Sequence, residues 1–227
     1  MLLLAIDTSG KQGSIALARA GEPTAEGDFE VIEIAPLVGG TFSAQLIPQV
    51  SELLSSNGFM KTAIGAFAVV SGPGSFTGLR IGLAAVKALA EVLHKPIAAV
   101  SLLEVCVFAS GAQGKIMAIL DAGRTDVYVG EYEISGNVSS ISRERFLSRS
   151  EFLSQASGWK VVTPDPVLAE VAAAAGLTVL PLPAISAAEV GPVGWRKIQS
   201  GDAVAPEQLE ANYIRRSDAE MLEKMGS

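Results

Sequence analysis

Residues 63–82 constrain this chain more than any other part of it. A short apolar run with the Val and Phe content of a buried strand, 63–70, passes into Ser71-Gly72-Pro73-Gly74-Ser75-Phe76-Thr77-Gly78-Leu79-Arg80-Ile81-Gly82 and from there into a long helical pattern. The stretch is a strand-to-helix hinge. Gly72 and Gly74 flank Pro73, placing one fixed φ between two residues free to take positive φ, so the chain can reverse without a side-chain clash. Ser75 or Thr77 can then accept a hydrogen bond from the unpaired N–H groups of the first helical turn. Two roles remain open for the small residues. The helix N-terminus carries partial positive charge and, with Arg80 one turn in, can face an anion. Alternatively Gly78, Gly82 and Ala85 recur at helical spacing as a stripe that lets another backbone approach. Packing is the favoured role, because Gly inside a helix costs about 1 kcal/mol against Ala and is usually kept for a packing reason. No Lys follows a glycine in the G-x-x-x-x-G-K-[ST] spacing, which excludes a P-loop.

At 227 residues and 49% hydrophobic content the chain can fill one large core or two smaller ones. Its most apolar stretches, 97–109 and 167–183, are interrupted by Ser101, Glu104, Glu170 and Pro181 and fall short of the ~20 clean residues of a membrane helix. The apolar start has no basic flank and meets Asp7 too soon for a signal peptide, so a cytoplasmic protein without membrane contact is expected. A single cysteine, Cys106, and a single histidine, His94, leave neither an internal disulfide nor a Cys/His zinc cluster. The net charge of −7 opposes a domain that grips nucleic acid by itself.

Read in order, 1–6 is a central strand, 7–10 a turn, and 14–20 and 24–34 two further strands of an antiparallel meander. A helix follows over 43–56, capped by Ser43 and ended by Asn57-Gly58, with Leu46, Ile47, Val50, Leu53 and Leu54 expected on one face. The strand 63–70, the hinge and a helix over 76–93 complete a βββαβα module. The pattern then restarts less regularly: a helix over 101–109, strands at 115–120, 128–134, 159–162 and 178–180, and helices at 166–175 and 184–199, the last interrupted by Gly191-Pro192. A strand ends in an acid-containing turn at Asp7 and again at Asp121, which suggests a duplicated module with a degenerate second copy. The expected lobes are 1–100, completed by 205–227, and 101–204.

At Leu4-Ala5-Ile6-Asp7-Thr8-Ser9, the hinge block 71–82, Leu120-Asp121-Ala122-Gly123-Arg124 with Val127-Tyr128, and Ala211-Asn212-Tyr213-Ile214-Arg215, the chain resembles the TsaB (YeaZ) family of tRNA threonylcarbamoyladenosine biosynthesis proteins. The resemblance implies an α/β, two-lobed, actin-like or sugar-kinase-like (ribonuclease H-like) fold. It also implies a non-catalytic subunit that supports a TsaD-like paralogue and is joined by a TsaE-like ATPase. On that view tRNA is contacted only through the complex, ATP or ADP and Mg enter at the level of the complex, and the free chain is a homodimer. In active relatives of the fold a Gly stands two residues after the first Asp to let backbone N–H groups close on phosphate; here Ser9 stands there. Asp7, Thr8, Ser9, Asp121 and Gly123 then mark a degenerate phosphate site. Asp7 and Asp121 could hold Mg²⁺ through water or could simply be turn residues. Gly72, Gly74, Ser75, Phe76, Thr77, Gly78, Arg80 and Gly82, together with Leu46, Val50 and Leu53, are expected to form the partner-binding helix pair. The alternative is an ATPase or phosphotransferase of the same fold acting alone.

Overall fold

The computed structural model describes residues 1–21, 29–136 and 138–214. The first half runs β1 (Leu2–Asp7), β2 (Gly13–Ala20), β3 (Phe29–Leu37), α1 (Phe42–Ser56), β4 (Ile64–Gly72), α2 (Phe76–Leu93), β5 (Ile97–Ser101) and α3 (Leu102–Ala109). The second half runs β6 (Gly114–Asp121), β7 (Asp126–Ser135), β8 (Val138–Ser148), α4 (Arg149–Gln155), β9 (Lys160–Thr163), α5 (Pro166–Ala174), β10 (Thr178–Pro181) and α6 (Ala187–Ser200). The two halves therefore repeat one βββαβαβα order. Their sheets repeat it in space as well, with orders β3-β2-β1-β4-β5 and β8-β7-β6-β9-β10. In each sheet the first three strands pair antiparallel and the fourth and fifth add in parallel.

The second copy is thus complete in topology, and the degeneracy expected of it lies in sequence alone. Three elements are not legible in the residues. β5 runs into α3 without a turn residue between them, so the apolar run 97–109 hides a strand-to-helix change. β8 is an edge strand whose Ser, Arg and Glu content lacks the apolar alternation of a half-buried strand, and α4, at seven residues, is too short for a periodic signal. The expected third strand began at residue 24, but residues 22–28 lie outside the described part, and β3 extends to Leu37. α1 starts at Phe42, and its N-cap position is Thr41, not Ser43. The tail beyond residue 214, expected to complete the first lobe, also lies outside the described residues.

One compact unit comprises Met1–Val105 and Ile185–Ala211; the other comprises Cys106–Ala184 with residues 212–214. α6, expected with the second lobe, packs instead on β1, β2, β4 and β5. Its Gly191-Pro192 does not interrupt it, and Gly191 and Gly194 are where the helix comes close to the sheet. A Cβ on Gly194 would stand 2.3 Å from the Ala68 Cβ, and one on Gly191 would stand 2.6 Å from the Phe29 ring. The helix also starts well anchored. Ser186 and Glu189 form a capping box, and the buried Ser14 hydroxyl accepts from Ala187 N at 2.8 Å.

In the second unit Met117, Ile119, Val127, Val129, Phe152, Val161 and Leu168 form a core between the sheet and its helices. α5 begins with Asp165, whose carboxylate accepts from Val167 N at 2.8 Å and Leu168 N at 3.1 Å ahead of Pro166 at the first helical position. Asp165→Ala is expected to lower stability by about 1 kcal/mol, read as a shift of the urea midpoint. An unchanged midpoint would show that Pro166 alone suffices to start the helix.

Candidate functional site

The site forms where two neighbouring parallel strands end. β1 is buried throughout and lies at the centre of its sheet, with Ile6 beside Val69 of β4. The turn after β1 and the hinge after β4 therefore emerge side by side, at the carboxyl ends where open α/β sheets place ligands. Gly72 takes φ +146°, a conformation that side chains disfavour. Gly74 is required for a different reason: a Cβ there would stand 2.5 Å from the Ser9 carbonyl oxygen. Ser75 is the N-cap of α2, accepting from Gly78 N, while its own N–H donates to the Ser9 carbonyl at 2.7 Å.

The turn is closed on itself and on the helix. Ser9 N and Ser9 Oγ both donate to Asp7 Oδ1, at 2.8 and 2.6 Å, and Thr8 Oγ1 donates to the Gly78 carbonyl at 2.8 Å. Asp7, Thr8 and Ser9 are all buried. Burial pushes the Asp7 carboxyl above its ordinary value of 3.8, against a weaker opposite pull from the two Ser9 hydrogen bonds. A phosphate cradle needs turn N–H and hydroxyl groups free to donate, and those of Ser9 are spent on Asp7 while that of Thr8 is spent on α2. Among the described residues, no group of three or more His, Cys, Asp and Glu is arranged to hold a metal ion.

An acid whose folded-state pKa is raised weakens the fold as pH climbs through the window above 3.8, since the folded chain keeps a proton that the unfolded chain has released. Asparagine keeps an oxygen for both Ser9 donors without a buried charge. Asp7→Asn is therefore expected to raise the melting temperature at pH 8 by at least ~2 °C, what ~1 kcal/mol yields in a chain of this size. The gain should fade to nothing by pH ~3, where Asp7 is protonated in both states. Thermal unfolding between pH 3 and 8 checks this, and a lower melting temperature for the variant at pH 8 would refute it.

Asp121 holds the corresponding place at the end of β6 in the other unit, but its surroundings differ. Its side chain is about half exposed and pairs with Arg149 Nη2 at 3.5 Å, and Gly123 takes φ +83° in the turn. Arg143 and Arg145, close to Arg149 in sequence, both pair with the buried Glu131. All three arginines are thus matched by acids. Cys106 is fully buried, and His94 is the left-handed C-cap of α2, on the surface.

The residues expected to face a partner divide into two sets. Leu46, Val50 and Leu53 are 1%, 5% and 2% exposed, turned inward on an α1 that packs against α2, β2 and β3. Gly78 and Gly82 are buried too, and their close neighbour is Thr8 of the same chain. A Cβ on Gly78 would stand 2.0 Å from the Thr8 carbonyl oxygen, and one on Gly82 would stand 2.3 Å from Thr8 Oγ1. The glycine stripe serves packing within the subunit, the favoured of its two roles. A leucine at position 82 would strike Thr8 before it reached a partner. Ser75, Thr77 and Arg80 are exposed, and Phe76 is half-buried with the Arg80 guanidinium 5.8 Å from its ring centre. The outer sides of the two helices carry Ala44, Ile47 and Ser51 on α1 and Thr77, Ala84 and Ala88 on α2.

The family model of TsaD, tRNA N6-adenosine threonylcarbamoyltransferase, matches residues 36–192. The Escherichia coli (strain K12) protein named tRNA threonylcarbamoyladenosine biosynthesis protein TsaB is 30% identical, over 96% of this chain and 96% of its own length. The chain belongs to the TsaB (YeaZ) family. The Bacillus subtilis (strain 168) TsaB is 38% identical over 59% of this chain and 56% of its own. Among solved structures, YeaZ from Pseudomonas aeruginosa superimposes with a TM-score of 0.70 at 25% identity, covering 94% of this chain and all of that one. The paired sheets are those of the actin-like, ribonuclease H-like fold that a TsaB-family chain is expected to have.

Among the features of this TsaB-family site, sequence reasoning missed the contact between Thr8 and α2. A lone threonine after an aspartate carries no signal of a partner seventy residues away. The hinge glycines were the available sign, since a stripe kept in a helix implies that a backbone lies against it.

Proposed function

We propose that the chain acts in the synthesis of N6-threonylcarbamoyladenosine in tRNA, as a non-catalytic subunit that supports a TsaD-like transferase. The observation that carries this reading is the near full-length relation to a protein named for that biosynthesis. The closed turn supports the non-catalytic part: Asp7 is tied to Ser9, and the Thr8 hydroxyl and the Ser9 N–H and hydroxyl are all engaged within the chain. The TsaD family-model match and a 32% identical tRNA N6-adenosine threonylcarbamoyltransferase of Anaeromyxobacter sp. (strain Fw109-5), covering 60% of this chain, support a paralogous partner. On this reading the outer sides of α1 and α2 dock that partner, the same surface pairs the free chain with itself, and a TsaE-like ATPase joins the complex. ATP or ADP and Mg act in the complex, and tRNA is held jointly with the partner, in keeping with the net charge of −7. Among the described residues no helix is long and apolar enough to cross a membrane.

The test is tRNA nucleoside analysis by mass spectrometry in cells depleted of the host TsaB protein. Expression of this chain should restore threonylcarbamoyladenosine, and Asp7→Asn should restore it equally. The purified chain alone should show no steady-state ATPase. Failure of the wild-type chain to restore the nucleoside would overturn the pathway assignment. An ATPase abolished by Asp7→Asn would favour the phosphotransferase reading.

A further inference from the structure

We draw no further inference here: the strongest candidate, the groove of about 490 Å³ where the C-terminal turn of α2 (Glu91, His94, Lys95) meets Val204, Pro206 and Glu207, carries charges of both signs that select no ligand chemistry, and nothing in the structure shows what covers it.

Discussion

Gly78→Val is expected to cost about 3 kcal/mol, the upper end of the usual range for overpacking, and to loosen the turn that holds Asp7. The new Cβ would fall 2.0 Å from the Thr8 carbonyl oxygen. That oxygen belongs to the backbone after a strand paired on both sides, so it has no rotamer by which to move away. Valine improves on glycine in a helix by only a few tenths of a kcal/mol, too little to offset the collision. Ala88→Gln, on the exposed side of the same helix, should stay within about 0.5 kcal/mol of wild type. Urea unfolding of the two variants separates packing from helix propensity. A Gly78→Val protein as stable as the wild type would mean that α2 does not seat against the turn as described.

The other large effect is on assembly. Ile47 is 48% exposed on α1, and Ala84 is exposed on α2, each on the side of its helix turned away from the sheet. If those sides dock a TsaD-like chain, a carboxylate at both positions must be buried without a partner or must hold the helices apart. The double substitution Ile47→Glu with Ala84→Glu should weaken capture of the TsaD-like protein by about 100-fold, or about 2.7 kcal/mol. It should shift the free chain toward monomer by a comparable factor. Both positions are on the surface, so the melting temperature should remain within a few degrees of wild type. Titration calorimetry against the purified transferase and light scattering on the free chain read the two effects. Unchanged affinity in a folded double variant would move the docking surface off these helices. Gly82→Leu cannot make this distinction, because the residue it reaches first is Thr8.

Both experiments turn on one structural fact. Gly78 and Gly82 of α2 and the exposed residues of α2 lie on opposite sides of the same helix and serve different ends. Glycine at 74, 78 and 82 lets the helix start press on the turn of 7–9, so that Ser75 N can reach the Ser9 carbonyl and Thr8 Oγ1 can reach the Gly78 carbonyl. The resulting turn is buried and built around a carboxyl group that burial disfavours as an anion. The non-catalytic reading gives that carboxyl no step to perform, so Asp7→Asn should gain stability without loss in the tRNA assay.

The sequence by itself determined the strand-to-helix hinge, the bounds of α2 and α3, the acid at the ends of β1 and β6, and the family. Each of these rests on local chemistry: a Gly-Pro-Gly reversal, a helical period, a strand that stops at Asp. Only the tertiary structure decided which side of α2 is buried, because Gly78 and Gly82 allow close approach without saying from where, and β1 lies seventy residues away in sequence. It likewise decided that α6 belongs to the first sheet. Gly191-Pro192 looks like a break in a helix until Phe29 stands against Gly191 and Ala68 against Gly194, and no periodicity within 187–200 records a partner whose own signal is only a run of small residues in a distant strand.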